Sequence, residues 1–511
     1  MSDFFIGIDC GTQSTKCLVL NEETGNIIGQ GSAAHEILRQ RPGMKEQDPE
    51  VWIKACRLSI HQAVKSAGIL PGRIRAIGVS GQQHGFVPLD RAGKAIRPAK
   101  LWCDTETASQ NSELIEKLGG QDNVIKLIGQ PLAVGYTASK ILWLKQNEPD
   151  NYNRLARILL PHEYINYWLT GEIFSEFGDA SGTGYLNTRL RQWQDEVLMA
   201  IDDKKNLKEC MPELIQSHEI IGKLKNSIAD ELGLNNKILV SAGGGDNMMA
   251  AIGTGAVQEG VVTASLGTSG TLFCYSNGPI QDPAGDIAGF CSSSGGWLPL
   301  ICTMNVTVAT ELMRNLFSLN INKINQLAED AKAGSGGLVL IPFFDGERTP
   351  AVPNATASLL GMTSQNMDSR YFVRAAMEGA SMGLRYGLEA FIRNHLAPRE
   401  IRLVGGGAKS SVWCQIISDM FQRRCVRLKI SEAAALGAAL QAVWAYRSHI
   451  GHKSNIVEIT DEFVQIDGNA VFKPDSATVL LYDKLYDHYK NLCKSLLSTY
   501  GKQRELINSL S

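Results

Sequence analysis

The sequence predicts an α/β protein assembled from two similar halves, and three observations carry that prediction. Up to about residue 32, apolar β-type runs alternate with polar turns. A helical spacing then enters at residue 49 and returns to a β-run near residue 73. Near residue 240 the opening pattern starts again.

The opening run "FIGIDCGTQSTKCLVL", residues 5–20, reads as strand, turn, strand, with an acid, Asp9, at the end of the first strand. The turns are "CGTQST" and "NEETGN", and "IIGQGSA" is a third strand. "PEVWIKACRLSIHQAVKSAG" has the spacing of an amphipathic helix and leads into the β-run "RIRAIGVSG", so the sheet is mixed. In the second half, "KILVSAGGGDNMMAAIG" reads as strand, glycine run and helix, and "GVVTASLGTSGTLFCYSNG" as a second hairpin with a Gly-Thr-Ser tip. Two halves, each presenting such a tip, suggest two sub-domains facing one cleft. Further on, Ile321, Ile324, Leu327 and Ala331 form one expected core stripe, and Leu481, Leu485, Leu492 and Leu496 another. The expected division is an N-terminal domain at 1–247, a C-terminal domain at 248–480 and a helical tail at 481–511.

Composition narrows the function. At 511 residues the chain is too long for one ordinary core. Its 50 Lys and Arg against 52 Asp and Glu leave a formal charge of -2, no global reason to bind nucleic acid or an anionic membrane. Any anion site must be local. Eleven cysteines without a C-x-x-C fit neither a disulfide framework nor a zinc ribbon, and suit a reducing compartment. The most apolar region, around 237–275, is interrupted by Asp246, Glu259 and glycines, which argues against a membrane span. With no signal-peptide pattern at the N-terminus, the expected location is cytoplasmic.

Hairpin tips of Gly, Thr and Ser gather backbone N–H groups and hydroxyls in one concave place, as phosphate oxygens require. Lys16 adds a positive charge, and an unpaired acid beside the tip, Asp9, would suit Mg²⁺ held through water. "IRLVGGGAKSSVWCQIISDMF" at 401–421 reads as strand, three glycines and a helix capped by Ser410 or Ser411, open to the approach of a flat ring. Neither G-x-G-x-x-G with a ribose-binding acid nor a P-loop occurs in the right context. Asp246 follows three glycines, where it is either a helix N-cap or a base for a substrate hydroxyl. In "VSGQQHGFVPLD", Gln82, Gln83 and His84 suit sugar hydroxyls, and "LWCDTET" adds the aromatic face of Trp102 beside Asp104.

In chain order, "IGIDCGTQSTK", "GQQHG", "LWCD", "GYTASKILWLKQN", "GGGDN", "SLGTSG", "PFFDGERTP", "LLGMTSQNMDSRYFVRAAMEG" and "GGGA" resemble the landmarks of the FGGY carbohydrate kinases, from about residue 4 to about 445. Among these kinases the resemblance is nearest to those that phosphorylate D-xylulose. It implies duplicated actin-like, ribonuclease H-like domains flanking an ATP cleft, with ATP as co-substrate, Mg²⁺, and a ketopentose converted to its 5-phosphate. By carry-over, Asp246 is the general base and Asp9 the acid near Mg²⁺. Gly11, Thr12, Ser14 and Lys16 form the first phosphate loop and Gly267 and Thr268 the second; Gly405, Gly406, Gly407, Ala408 and Ser411 lie on the adenosine side. Gln83 and His84 meet the sugar, with Trp102, Asp104, Asp246 and Asn247 around it.

Two positions depart from the pattern: Gln83 stands where Met is usual, and "CDTE" replaces an "NDxR" run, so Glu106 changes the charge expected near the sugar. The absence of an Arg-Glu pair at the "QH" position, residues 83–84, argues against glycerol. The rival expectations are a kinase for another ketose or polyol, such as ribulose, and an actin- or chaperone-like scaffold. Expected partners are the ketopentose and ATP, with a homodimer as one assembly the sequence allows.

Overall fold

A computed structural model describes residues 2–510. The chain forms two compact units. Unit 1 runs to Gln258 and takes in Tyr275–Pro299 and Glu432–Val464; unit 2 comprises Glu259–Cys274, Leu300–Ser431 and the chain from Gln465.

Unit 1 opens with β1 (Phe4–Cys10), β2 (Ser14–Asn21) and β3 (Ile27–Ala34), an antiparallel meander, as the alternating runs require. Helix α1 (Pro49–Ala67) follows, with Asp48 as its N-cap and the left-handed Gly68 ending it. The chain then returns to the sheet as β4 (Ile74–Gly81), parallel to β1. The sheet continues through β5 (Leu239–Ser241), parallel to β4, and ends on the antiparallel strand Ile220–Lys223. Helix α2 (Pro161–Thr170) lies between β4 and β5 in sequence, and α3 (Asp246–Thr254) follows β5.

Central strands that are covered by helices must be apolar on both sides, and β1 and β4 are buried along most of their length. The cover on one face is the helix Ala433–His449, which lies almost directly on the strands. A Cβ added at Gly7 would sit 1.9 Å from the Ala435 carbonyl, and one at Gly78 1.9 Å from that of Ala438. Only glycine permits this approach.

Unit 2 repeats the plan. β6 (Val261–Leu266) and β7 (Gly270–Cys274) form its hairpin, and residues 300–303 of the strand Trp297–Thr303 pair antiparallel with β7. After the long helix α4 (Ser369–Arg393), β8 (Glu400–Val404) returns parallel to β6. Helix α5 (Ser411–Phe421) leads to β9 (Arg424–Leu428), parallel to β8, and β10 (Ile466–Phe472) closes the edge antiparallel. Read from the meander outward, both sheets run antiparallel, antiparallel, parallel, parallel, antiparallel. This internal repeat is the duplicated actin-like, ribonuclease H-like arrangement.

Two expected core stripes change. Ile321 is 60% exposed while Ile324 and Ala331 are buried, because Ile321 opens its helix where the chain has only just met the core. In the last helix, α6 (Ser476–Leu510), the buried residues are Tyr482, Tyr486, Tyr489 and Tyr500, and Leu481 is 38% exposed. Two of these hydroxyls meet charged groups: that of Tyr482 donates to Glu378 Oε1 at 2.8 Å and accepts from Arg374 Nη2 at 3.1 Å, and that of Tyr486 donates to Glu389 Oε2 at 3.1 Å.

Candidate active site

Asp9 is the penultimate residue of β1, opposite Lys16 of β2 and beside Ser80 of β4. The Ser80 hydroxyl donates to its carboxylate at 2.8 Å. Even so, the Asp9 pKa is pushed up to about 7, first by burial and then by the Asp246 carboxylate, with Ser80 and Lys16 only partly offsetting them. Lys16 pairs with Glu432 at 2.5 Å. At the tip, the Gly11 N–H donates to the Ser14 carbonyl at 3.0 Å, and the Thr12 hydroxyl accepts from the Trp102 indole at 3.0 Å.

Beyond β4, the Gln83–His84 turn meets the start of α3. Gly245 is the helix N-cap, so Asp246 is the first helical residue and not the cap. Its Oδ1 accepts from the Asn247 backbone N–H at 2.7 Å and from Asn247 Nδ2 at 2.9 Å; the same amide donates to Gln83 Oε1 at 2.7 Å. One asparagine thus orients both the acid and the glutamine. A Cβ at Gly245 would fall 2.7 Å from Gln83 Cγ and 3.0 Å from Asp179 Oδ1, so glycine is what lets these three groups converge. Burial and the Asp179 charge push the Asp246 pKa up to about 7, despite the bonds from Asn247.

His84 has left-handed backbone (φ 59°), a strained conformation for a non-glycine residue. Four contacts hold it there. Lys140 Nζ and Thr137 Oγ1 donate to its carbonyl at 2.5 and 3.2 Å, and the rings of Tyr136 and Phe290 flank its imidazole at 4.9 and 5.5 Å between centroids. Gly182 leaves room for the ring, since a Cβ there would lie 1.7 Å from His84 Nδ1. Lys140 is fully buried, and burial pulls its pKa down to about 7.

Sequence reasoning missed the layer beneath. Asp179 is buried, pairs with His162 Nδ1 at 2.7 Å, and burial holds its carboxyl far above the usual range. Burial likewise holds His162 below its usual pKa, and Glu176, which caps the turn carrying Asp179, above its own. The available signal was two acids, Glu176 and Asp179, within the otherwise small and apolar "EFGDASGTG". Lys140 lay unremarked inside "GYTASKILWLKQN".

Trp102 and Asp104 part company. Trp102 is half-buried, with its indole committed to Thr12. Asp104 is fully buried and accepts from the Lys45 N–H at 2.9 Å and from Lys100 Nζ at 3.3 Å. Glu46, Asp104 and Glu106 together have the spacing of a metal site, but the Lys100 ammonium already sits among them, 2.9 Å from Glu46 and 2.5 Å from Glu106. The charge that Glu106 brings is therefore met within this cluster. Burial pushes the Glu106 pKa up, but Arg41 and Lys100 hold it below the usual range.

In unit 2, the tip residues Gly267 and Thr268 turn their carbonyls to the Thr307 and Val306 N–H groups at 3.0 and 3.1 Å. Gly405 (φ 89°) and Gly406 are exposed, whereas Gly407 and Ala408 are buried. Ser410 is the cap of α5, accepting from the Trp413 N–H at 3.3 Å, and Ser411 is the exposed first residue of the helix.

The duplicated fold carries two glycine-rich hairpin tips and a buried carboxylate beside a polar turn, and the chain belongs to the FGGY family of carbohydrate kinases. Residues 4–253 match the family's N-terminal domain and residues 262–446 its C-terminal domain. The chain is 45% identical to the xylulose kinase of Haemophilus influenzae over 95% of its own length and 98% of that protein. Among solved structures it is similar to a xyloylose kinase from Brucella ovis (29% identity, TM-score 0.89, covering 97% of this chain and 100% of that one). It is also similar to the xylulose kinase from Bifidobacterium adolescentis (31% identity, TM-score 0.79, 95% and 99% covered). None of the described helices is long and apolar enough to cross a membrane.

Proposed function

We propose that the chain transfers the γ-phosphoryl group of ATP to the terminal hydroxyl of D-xylulose, giving D-xylulose 5-phosphate. The observation that carries this reading is the chain Asp246–Asn247–Gln83, in which one side chain aligns a carboxylate of pKa about 7 with the sugar-binding turn. A base with a pKa near neutrality is ionised in a large fraction of molecules at working pH and takes the hydroxyl proton more readily than an ordinary carboxylate. The 45% identity to a xylulose kinase supports the choice of sugar.

In this reading Gln83, His84 and Asn247 bind the ketose and Asp246 accepts the proton of the attacking oxygen, while Trp102, its indole committed to Thr12, serves the phosphate tip. The Thr12 tip and Lys16 meet the phosphates, with the Gly267–Thr268 tip as the second phosphate loop and Gly405 and Gly406 on the adenosine side. Asp104 acts at a distance by holding the Trp102 loop. Asp9 fits Mg²⁺ bound through water: burial and the neighbouring Asp246 carboxylate keep its pKa near 7, and a divalent cation would stabilise its ionised form. Mg²⁺ would supply charge neutralisation on the triphosphate. Eleven free cysteines support a cytosolic location.

The test is ADP release across D-xylulose, D-ribulose, pentoses and polyols, repeated with Asp246→Asn. D-xylulose should give the highest kcat/KM, and the variant should lose about 10²- to 10⁴-fold in kcat while still binding sugar and ATP. Preference for another acceptor would overturn the substrate, and near-normal kcat in a folded variant would overturn the base.

A further inference from the structure

Gln47 lies outside every motif considered above. It is fully buried, an expensive place for an amide unless each polar atom is satisfied. Its Nε2 donates to the carbonyls of Thr12 at 2.8 Å and Glu36 at 3.1 Å, and its Oε1 accepts from Trp52 Nε1 and Gln82 Nε2, both at 2.9 Å. Gln82 is the residue before Gln83, and its own N–H donates to the Cys10 carbonyl at 2.9 Å. The amide therefore spans from the sugar turn to the first hairpin tip.

The Thr12–Gln13 peptide is trans, so its C=O and N–H point in opposite directions. Fixing the Thr12 carbonyl on Gln47 turns the Gln13 N–H away from Gln47. The Thr12 hydroxyl, as acceptor from the Trp102 indole, keeps its own proton for another acceptor. Unit 2 meets the same requirement differently: backbone N–H groups of Thr307 and Val306 hold the Gly267 and Thr268 carbonyls, which turns the Thr268 and Ser269 N–H groups the other way. Both tips have their carbonyls tied back. In unit 1 the tie is made by side chains.

We infer that Gln47 and Trp102 are positioning residues for the nucleotide, holding Thr12 so that the Gln13 N–H and the Thr12 hydroxyl stand as two preset donors to phosphate oxygens. This rests on the phosphate role proposed above for the Thr12 tip. Donors fixed before binding need no reorganisation when charge arrives, which is where such geometry gains its effect.

The experiment measures the Kd of a non-hydrolysable ATP analogue without sugar, and then both KM values, for wild type, Gln47→Glu, Gln47→Leu and Trp102→Phe, beside thermal melts. Gln47→Glu keeps the acceptor facing Gln82 and Trp52 but puts an oxygen against the Thr12 carbonyl. Analogue Kd and KM for ATP should rise about ten-fold in both Gln47 variants and about five-fold in Trp102→Phe, with KM for D-xylulose within about two-fold. A structural role alone would lower the melting temperature and leave this split absent. Unchanged nucleotide affinity in folded Gln47→Glu, or equal rises in both KM values, would overturn the inference. If the Gln47 variants do not fold, Trp102→Phe decides, and an unchanged KM for ATP overturns it. A wild-type chain that binds the analogue but phosphorylates no sugar would sink the proposed reaction and leave this inference standing on the Kd values; one that does not bind the analogue would sink both.

Discussion

Asp246 and Asp9 are carboxylates that the fold keeps close to their neutral form, and that has two consequences of opposite sign. In the proposed base role Asp246 would have to be ionised, so kcat/KM for D-xylulose should rise with pH through about 7, and a pH-rate profile of Asp246→Asn should lack that limb. For stability, a pKa raised in the folded state means that the native chain binds the proton more tightly than the unfolded chain. The associated stability is fully present below the unfolded value of 3.8 and is lost as pH rises through about 7. Asp246→Asn, which never ionises, should therefore melt higher than wild type at pH 8 and close to it at pH 4. A variant destabilised equally at both pH values would mean that the side chain is a structural strut. The acid itself was legible, because it follows three glycines. Its partner Asp179 was not, since Asp179 and Asp246 lie 67 positions apart in the chain and only folding brings the two charges together.

At the level of elements, the position of Asp246 depends on a helix crossing with no room for side chains. A Cβ at Gly437, in the Ala433–His449 helix, would lie 1.7 Å from the Met249 carbonyl of α3, and one at Gly253 of α3 would lie 1.9 Å from the Ala433 carbonyl. Each helix presents a glycine to the backbone of the other. Gly437→Ala should cost about 1–3 kcal/mol in urea denaturation, and should also lower kcat, because the helix that moves carries Asp246 at its first position. Gly501→Ala is the contrast: Gly501 sits in α6 with nothing within 4 Å, and the change should gain about 0.5–1 kcal/mol. Equal effects at the two sites would show that helix propensity, not the crossing, controls stability here.

Across the whole molecule, the chain crosses between units several times, and its final stretch belongs to unit 2. Sequence reasoning found no motif beyond about residue 450, yet Tyr482 of α6 completes a buried charge network with Arg374 and Glu378 of α4. Glu378 also receives the Gly334 N–H at 3.0 Å and the Ser335 hydroxyl at 2.8 Å, so the network joins three parts of unit 2. Tyr482→Phe keeps the ring and deletes two bonds to charged groups. It should cost about 1–3 kcal/mol by chemical denaturation, while KM for D-xylulose at low temperature stays unchanged. No loss of stability would reduce α6 to a surface helix.

Local pattern alone determined the strand–turn–strand openings, the helices at 49 and 411, the internal repeat and the glycine-rich tips, because periodicity and turn chemistry act between residues close in sequence. The family landmarks, in order along the chain, were enough for the kinase class. Only the tertiary structure decided that Glu106 faces Lys100 and Arg41, that Trp102 spends its indole on Thr12, and that Gln47 ties the tip to the turn at Gln82. Each of those outcomes is a contact between residues at least six positions apart, settled by which buried polar groups could find partners. That competition takes place only when the chain has closed on itself.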